Sequence, residues 1–330
     1  MVAQITKIER KYTTAPETAP QKLRVFIPYD GSKAAEATLE NLSSAGLPDE
    51  LEALIAVTQV WLPLSPQEIT SAVSARLLKL LSSGLSSHVP ALQDYEEQRV
   101  LSFEAERELR SMFPKGLVRT EAIQDTAAVT QAILRKAKQW GAELIILGSK
   151  TSPSSQITDY AGPALRVAHD AHCSVRIVRP SQRKADSATQ IMICLDHSAS
   201  SQNVIDAVSE RSWPTGTTAN IVLVQKPGPR NVARDADSAH LLNTWVNTLR
   251  ATGLEVSIDM EDGEPEEVLL LRSRESSVDC IFIDPHYGGT AVSDGSGLSE
   301  VAAAVVLGAQ CSVEVARANN SNHEHLEPAA

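Results

Sequence analysis

Two short segments carry the first candidate chemistry in this chain. Each is an apolar run that closes on an aspartate and a serine: "LRVFIPYDGS" ends on Asp30 and Ser32, and "IMICLDHS" ends on Asp196 and Ser198. A carboxylate placed there can hold a ligand seated beyond the end of a strand. It can equally accept N–H groups of its own turn and cap the helix that follows. Two further segments carry loops. "ELIILGSKTSPSSQITDYAGPALRVAH" contains Gly148, Thr151 and Gly162, and "DCIFIDPHYGGTAVSDGSGLSEVAA" contains Gly288, Gly289, Gly295 and Gly297. A glycine loop leading into a helix lets backbone N–H groups approach an anion closely, and the helix start adds partial positive charge. The chemistry these residues suit is ligand holding, with no nucleophile–base pair beside them.

The sequence has no GxxxxGK[ST] loop, no strand-linked GxGxxG, no GxSxG elbow, no HExxH helix and no zinc-spaced Cys/His set. Cys173, Cys194, Cys280 and Cys311 form no CxxC pair and sit in apolar stretches, so they read as small buried hydrophobes in a reducing compartment. The eight histidines are scattered. His197 and His286, next to the two loops of the second half, read as turn or surface residues. His323 and His325 lie in a polar tail with nothing to frame a metal.

The bulk properties narrow the class. A chain of 330 residues suggests two domains, each large enough for its own core. Hydrophobic residues make up 42% but aromatics only 4%, so the core is aliphatic, as buried parallel strands prefer. A net charge of −11 opposes binding to phosphate backbones, and nucleic acid is not an expected partner. No apolar run reaches the roughly 20 residues of a membrane span, and the N-terminal segment has no apolar signal core. The expected location is the cytoplasm.

The elements that position these residues alternate along the chain. Strand, helix, strand recur through "LRVFIPYD", "KAAEATLENLSSAG" and "EALIAVTQVWLP". Later come "DTAAVTQAILRKAKQWGAELIILGSK" and "AGPALRVAHDAHCSVRIVRP". This predicts a doubly wound parallel sheet. The same order then repeats after roughly 166 residues, which indicates a duplicated domain. "PYDGSKAAEATLENL" parallels "CLDHSASSQNVIDAV", and "AHCSVRIVRP" parallels "AQCSVEVARA". We expect an N-terminal arm over 1–21, a first domain over 22–180, a linker over 181–190, a second domain over 191–318 and a tail over 319–330. The first domain holds about 30 extra residues, with apolar positions at helical spacing such as Val73, Leu77, Leu78 and Leu81. This predicts a helical insertion at about 62–112.

The strand ending in Pro28-Tyr29-Asp30-Gly31-Ser32 and the closing strands "CSVRIVR" and "CSVEVAR", in the same order in both halves, resemble the universal stress protein family in its tandem form. The resemblance covers residues 22–180 and 189–318. It implies an α/β fold of two tandem doubly wound parallel five-stranded sheets, of the adenine nucleotide alpha hydrolase-like type. It also implies ATP at the strand tips of the first domain, with Mg beside it. By position, the ligand contacts would be Asp30, Val57, Gly148, Thr151 and Gly162 in the first half. In the second they would be Asp196, Val224 and Gly297. The loops depart from the family pattern. Thr151 stands where a second glycine belongs, and Pro163 offers no N–H to a phosphate. In the second half Asp284 and Tyr287 replace two glycines, and a carboxylate at Asp284 repels a triphosphate. The second site is therefore expected to be degenerate. The expected function is a non-catalytic stress-response or regulatory module with weak or lost ATP binding. The alternative is a slow ATP hydrolase working through the first domain. Expected partners are the chain's own other half, paired through the last strands as a pseudo-dimer, a second copy as a homodimer, and a regulatory protein.

Overall fold

The computed structural model describes residues 22–59, 103–124, 129–149, 163–180, 187–196, 198–225, 232–275, 278–289 and 297–318. The first half runs β1 (Leu23–Tyr29), α1 (Lys33–Asn41), β2 (Leu51–Gln59), α2 (103–112), β3 (Leu117–Gln124), α3 (Val129–Trp140), β4 (Leu144–Gly148), α4 (Pro163–Asp170) and β5 (Ser174–Val178). The second half repeats the plan with β6 (Gln190–Leu195), α5 (Ser201–Ser209), β7 (Thr218–Gln225), α6 (Val232–Ala251) and β8 (Glu255–Asp262). It closes with α7 (Pro265–Glu275), β9 (Cys280–Ile283), α8 (Glu300–Gly308) and β10 (Ser312–Val315). Of the expected helical insertion, residues 103–112 are helical and 60–102 lie outside the described residues.

Each half is a parallel five-stranded block in which every neighbouring pair runs the same way. The two blocks join edge to edge into one ten-stranded sheet, ordered β3-β2-β1-β4-β5-β10-β9-β6-β7-β8. The join is antiparallel, with Ile177, Arg176 and Val175 opposite Val313, Glu314 and Val315. Pairing the last strands removes two open edges, and β3 and β8 remain as the outer ones.

The strand sequences explain their places. β6 and β9 are continuous apolar runs and are buried almost throughout, because helices cover both faces. β3, "LVRTEAIQ", is a half-exposed edge strand, and its polar content hid it from the sequence reading. On one face of the sheet the core is continuous across the join and gathers Phe26, Ile145, Val175, Met192, Ile281, Val305 and Val313. On the other face it splits into two clusters, one under α1 and α2 and one under α5 and α6.

Reciprocal contacts tie the join. Ser174 Oγ accepts the Arg317 N–H at 3.0 Å, and Ser312 Oγ accepts the Arg179 N–H at 3.2 Å. The Arg317 guanidinium donates to the carbonyls of Ala168 and His169 at the end of α4, at 2.7 and 3.3 Å. The Arg179 guanidinium donates to the Val306 carbonyl at the end of α8 and to the Cys311 carbonyl. Each half thus supplies the cation that satisfies the carbonyl end of the other half's last helix.

Candidate functional site

In each half the strand order reverses beside the first strand. β1 lies between β2 and β4, and β6 lies between β7 and β9. Chain segments leave such neighbours in opposite directions, so a crevice opens at their carboxyl ends, where open parallel sheets hold ligands. Asp30 and Gly148 stand at the first reversal, and Asp196 and Asp284 at the second.

At the first crevice Asp30 is exposed. Its Oδ1 accepts the Ser32 N–H at 3.0 Å, and Ser32 Oγ accepts the Ala35 N–H at 3.3 Å. Ser32, rather than Asp30, therefore caps α1. Val57 is 2% exposed and pairs with Tyr29 across the strands, so its side chain belongs to the core and only its backbone can serve a ligand. Gly148 has a packing role of its own. A Cβ built on it would stand 2.0 Å from the Ala34 carbonyl oxygen, so the first turn of α1 lies directly on the end of β4. α4 begins at Pro163, where a missing N–H costs nothing. Thr151 and Gly162 lie outside the described residues. Burial raises the pKa of Tyr29, and Glu36, Glu108, Glu104 and Asp30 raise it further, which marks this end of the half as acidic.

The second crevice is filled by its own chain. Asp196 Oδ1 accepts from the Ser198 N–H at 3.1 Å and from the hydroxyls of Ser198 and Ser201 at 2.5 and 3.0 Å. Its Oδ2 accepts the Gly288 N–H at 2.7 Å. Burial pushes this carboxyl up, but the hydrogen bonds from Ser198, Gly288 and Ser201 outweigh burial and hold it below its ordinary value. The loop after β9 folds back on itself. Asp284 Oδ1 accepts the His286 N–H at 2.8 Å, and Ser299 Oγ donates to the Tyr287 carbonyl at 2.8 Å while capping α8. Tyr287 is 1% exposed and joins the buried cluster that includes Cys194, Val222 and Ile283. Burial raises its pKa, with Cys194 and Asp196 adding to the rise. Burial likewise raises the Asp284 carboxyl, against the pull of the His286 N–H and the Ser200 hydroxyl.

Gly297 faces elsewhere. Its N–H donates to the His169 carbonyl at 3.1 Å and its carbonyl accepts from Arg317 at 3.3 Å, so its backbone groups tie the second half to the end of α4. Val224 lies on β7, and its backbone lies against the Tyr287 phenol. The sequence reading named Tyr287 and Asp284 only as replacements for glycines, and missed Gly288 as a partner of Asp196. All four cysteines are buried and reduced, as their apolar surroundings indicated. Among the described residues no group of three His, Cys, Asp or Glu side chains could hold a metal. Among the same residues no helix is long and apolar enough to cross a membrane.

No protein-family model matches the chain, and no curated protein matches it. Solved structures do match. A universal stress protein from Archaeoglobus fulgidus superposes with a TM-score of 0.55 at 17% identity, over 89% of this chain and 96% of that one. The fold is the universal stress protein fold. A Pseudomonas aeruginosa structure described as a universal stress protein gives a TM-score of 0.54 at 13% identity, over 89% and 92% of the two chains. Coverage at this level takes in both halves. At 17% and 13% identity the likeness is one of fold, and the side chains at each reversal are this chain's own.

Proposed function

We propose that this chain is a tandem universal stress protein with one working ligand site. The first-half crevice would take an adenine nucleotide, and the second half would serve as a structural and regulatory partner. The observation that carries this reading is the difference between equivalent aspartates. Asp196 is satisfied by Ser198, Ser201 and Gly288 beside a buried tyrosine, whereas Asp30 is exposed at its strand tip. The described parts of the first crevice fit the sugar and base of a nucleotide. Asp30 can accept from ribose hydroxyls, and the backbone at the end of β2 can meet a base edge. Gly148 opens the segment that would meet phosphate. The acidic surroundings of Tyr29 favour a polyphosphate that arrives with Mg. The reading is binding without turnover. A bound-state signal would then be read by a regulatory protein in the cytoplasm, a compartment that suits four reduced thiols.

Titration calorimetry with Mg-ATP tests this, using Asp30→Ala and Asp196→Ala. Binding should disappear in Asp30→Ala and persist within about twofold in Asp196→Ala. Equal binding in Asp30→Ala would overturn the site, and release of ADP over hours would replace the binding module with a slow hydrolase.

A further inference from the structure

Two residues meet at the centre of the join. Arg176 on β5 lies opposite Glu314 on β10, with Arg176 Nη1 at 3.3 Å from Glu314 Oε2 and the side chains 2% and 0% exposed. Arg211, two residues past α5, binds the other carboxylate oxygen and is also buried. Both guanidiniums donate to the Ala45 carbonyl, at 3.4 and 3.3 Å. The ion group fills the gap between the two separate cores on that face.

These contacts join equivalent positions. Arg176 in "CSVRIVR" holds the place that Glu314 holds in "CSVEVAR". Counted from Asp30 and Asp196, Ala45 corresponds to Arg211, Gly46 to Ser212 and Leu47 to Trp213. The Ser212 N–H donates to the Gly46 carbonyl at 2.8 Å, so equivalents touch here too. A local two-fold axis therefore passes between them. In a pair of identical halves, each such residue would meet its own copy.

We propose that this seam is strictly heterotypic: a first half accepts a second half and rejects a copy of itself. Two first halves would bury Arg176 against Arg176 with no carboxylate to share, and a buried unpaired charge is strongly destabilising. Two second halves would place Ser212 where Gly46 now lies. A Cβ at Gly46 stands 2.7 Å from the Trp213 ring, and the backbone there has φ +65°, so the position accepts glycine and refuses serine. The same pairing would put a second Arg211 side chain in the place that Ala45 now holds, against the first Arg211. Charge excludes the pair of first halves, and shape excludes the pair of second halves. The rival explanation is that the covalent tether alone brings the halves together.

The test separates the two. A protease site is placed within 181–186 of the full chain, the folded protein is cleaved, and fragment stoichiometry is read by native mass spectrometry after exchange. The expected species is a one-to-one pair of unlike fragments. In the Arg176→Leu chain, Glu314 keeps Arg211, and the first fragment should now also appear as a homodimer. Homotypic dimers from the unsubstituted chain, dissociation into single fragments, or strict one-to-one pairing in Arg176→Leu would each overturn the proposal. The uncleaved chain gives a second reading. Arg176→Glu, which sets two carboxylates face to face, should lower Tm more than Arg176→Leu, and equal shifts would mean that charge is not read.

Discussion

The Gly288 N–H points at the Asp196 carboxylate from 2.7 Å, across 92 positions of chain. This one contact binds the tip of β6 to the loop that follows β9, and it places Gly288 where an incoming ligand group would otherwise stand.

Replacing Asp196 with alanine leaves the N–H groups of Ser198 and Gly288 without their acceptor. Hydrogen bonds to a charged group are worth about 2 kcal/mol, and we expect a loss of that order in urea unfolding. The pH dependence follows from the lowered carboxyl. A group whose folded pKa is depressed contributes stability above its unfolded pKa and loses it as pH falls through the folded value. The unsubstituted chain should therefore lose stability in this acid range with a steeper slope than Asp196→Asn, and superimposable slopes would show that this carboxylate is not engaged.

Asp284 runs the other way. Its folded pKa is raised, so ionisation at neutral pH opposes folding, and the penalty grows as pH climbs above the unfolded value. Asp284→Asn keeps an oxygen for the His286 N–H and removes the charge. We expect it to raise Tm at pH 7 and to have no benefit near pH 3. A Tm that falls at pH 7 would show that the carboxylate has a partner essential to the loop.

Gly148→Ala should cost about 3 kcal/mol, near the top of the range for overfilled sites, because the added carbon meets the Ala34 backbone rather than a movable side chain. Loss of ligand binding in this variant would report collapse of the α1–β4 contact. A thermal melt must therefore accompany any binding assay, and an unchanged Tm would show that α1 can shift.

The thiols give a simple check of burial. Burial pushes Cys173, Cys280 and Cys311 up to about 12, and Cys194 is raised as well. At pH 8 the native protein should release no chromophore from a thiol–disulfide reagent within minutes, and all four thiols should react in denaturant. Rapid labelling of even one native thiol would contradict the packing.

The sequence carried the duplication plainly, because "PYDGS" and "CSVRIVR" have counterparts in the same order, and buried parallel strands leave long aliphatic runs. β3 escaped, since an edge strand carrying Arg119, Thr120 and Glu121 lacks that signature. The site was half legible. Asp30 and Asp196 stood out as strand-ending carboxylates, and both form the turn that the sequence allowed. What separates them comes from Gly288 and Tyr287, residues about 90 positions away, and no local pattern reports which backbone N–H folds back onto a carboxylate. Likewise the exchange of Arg176 for Glu314 is visible in the two closing strands, but that they face each other depends on register.

The antiparallel meeting of β5 and β10 inverts one half against the other. The strand tips bearing Asp30 thus point to one pole of the molecule, and those bearing Asp196 to the opposite pole. Under the proposed function, a protein that docks over the first crevice would leave the second, at the far end of the sheet, untouched.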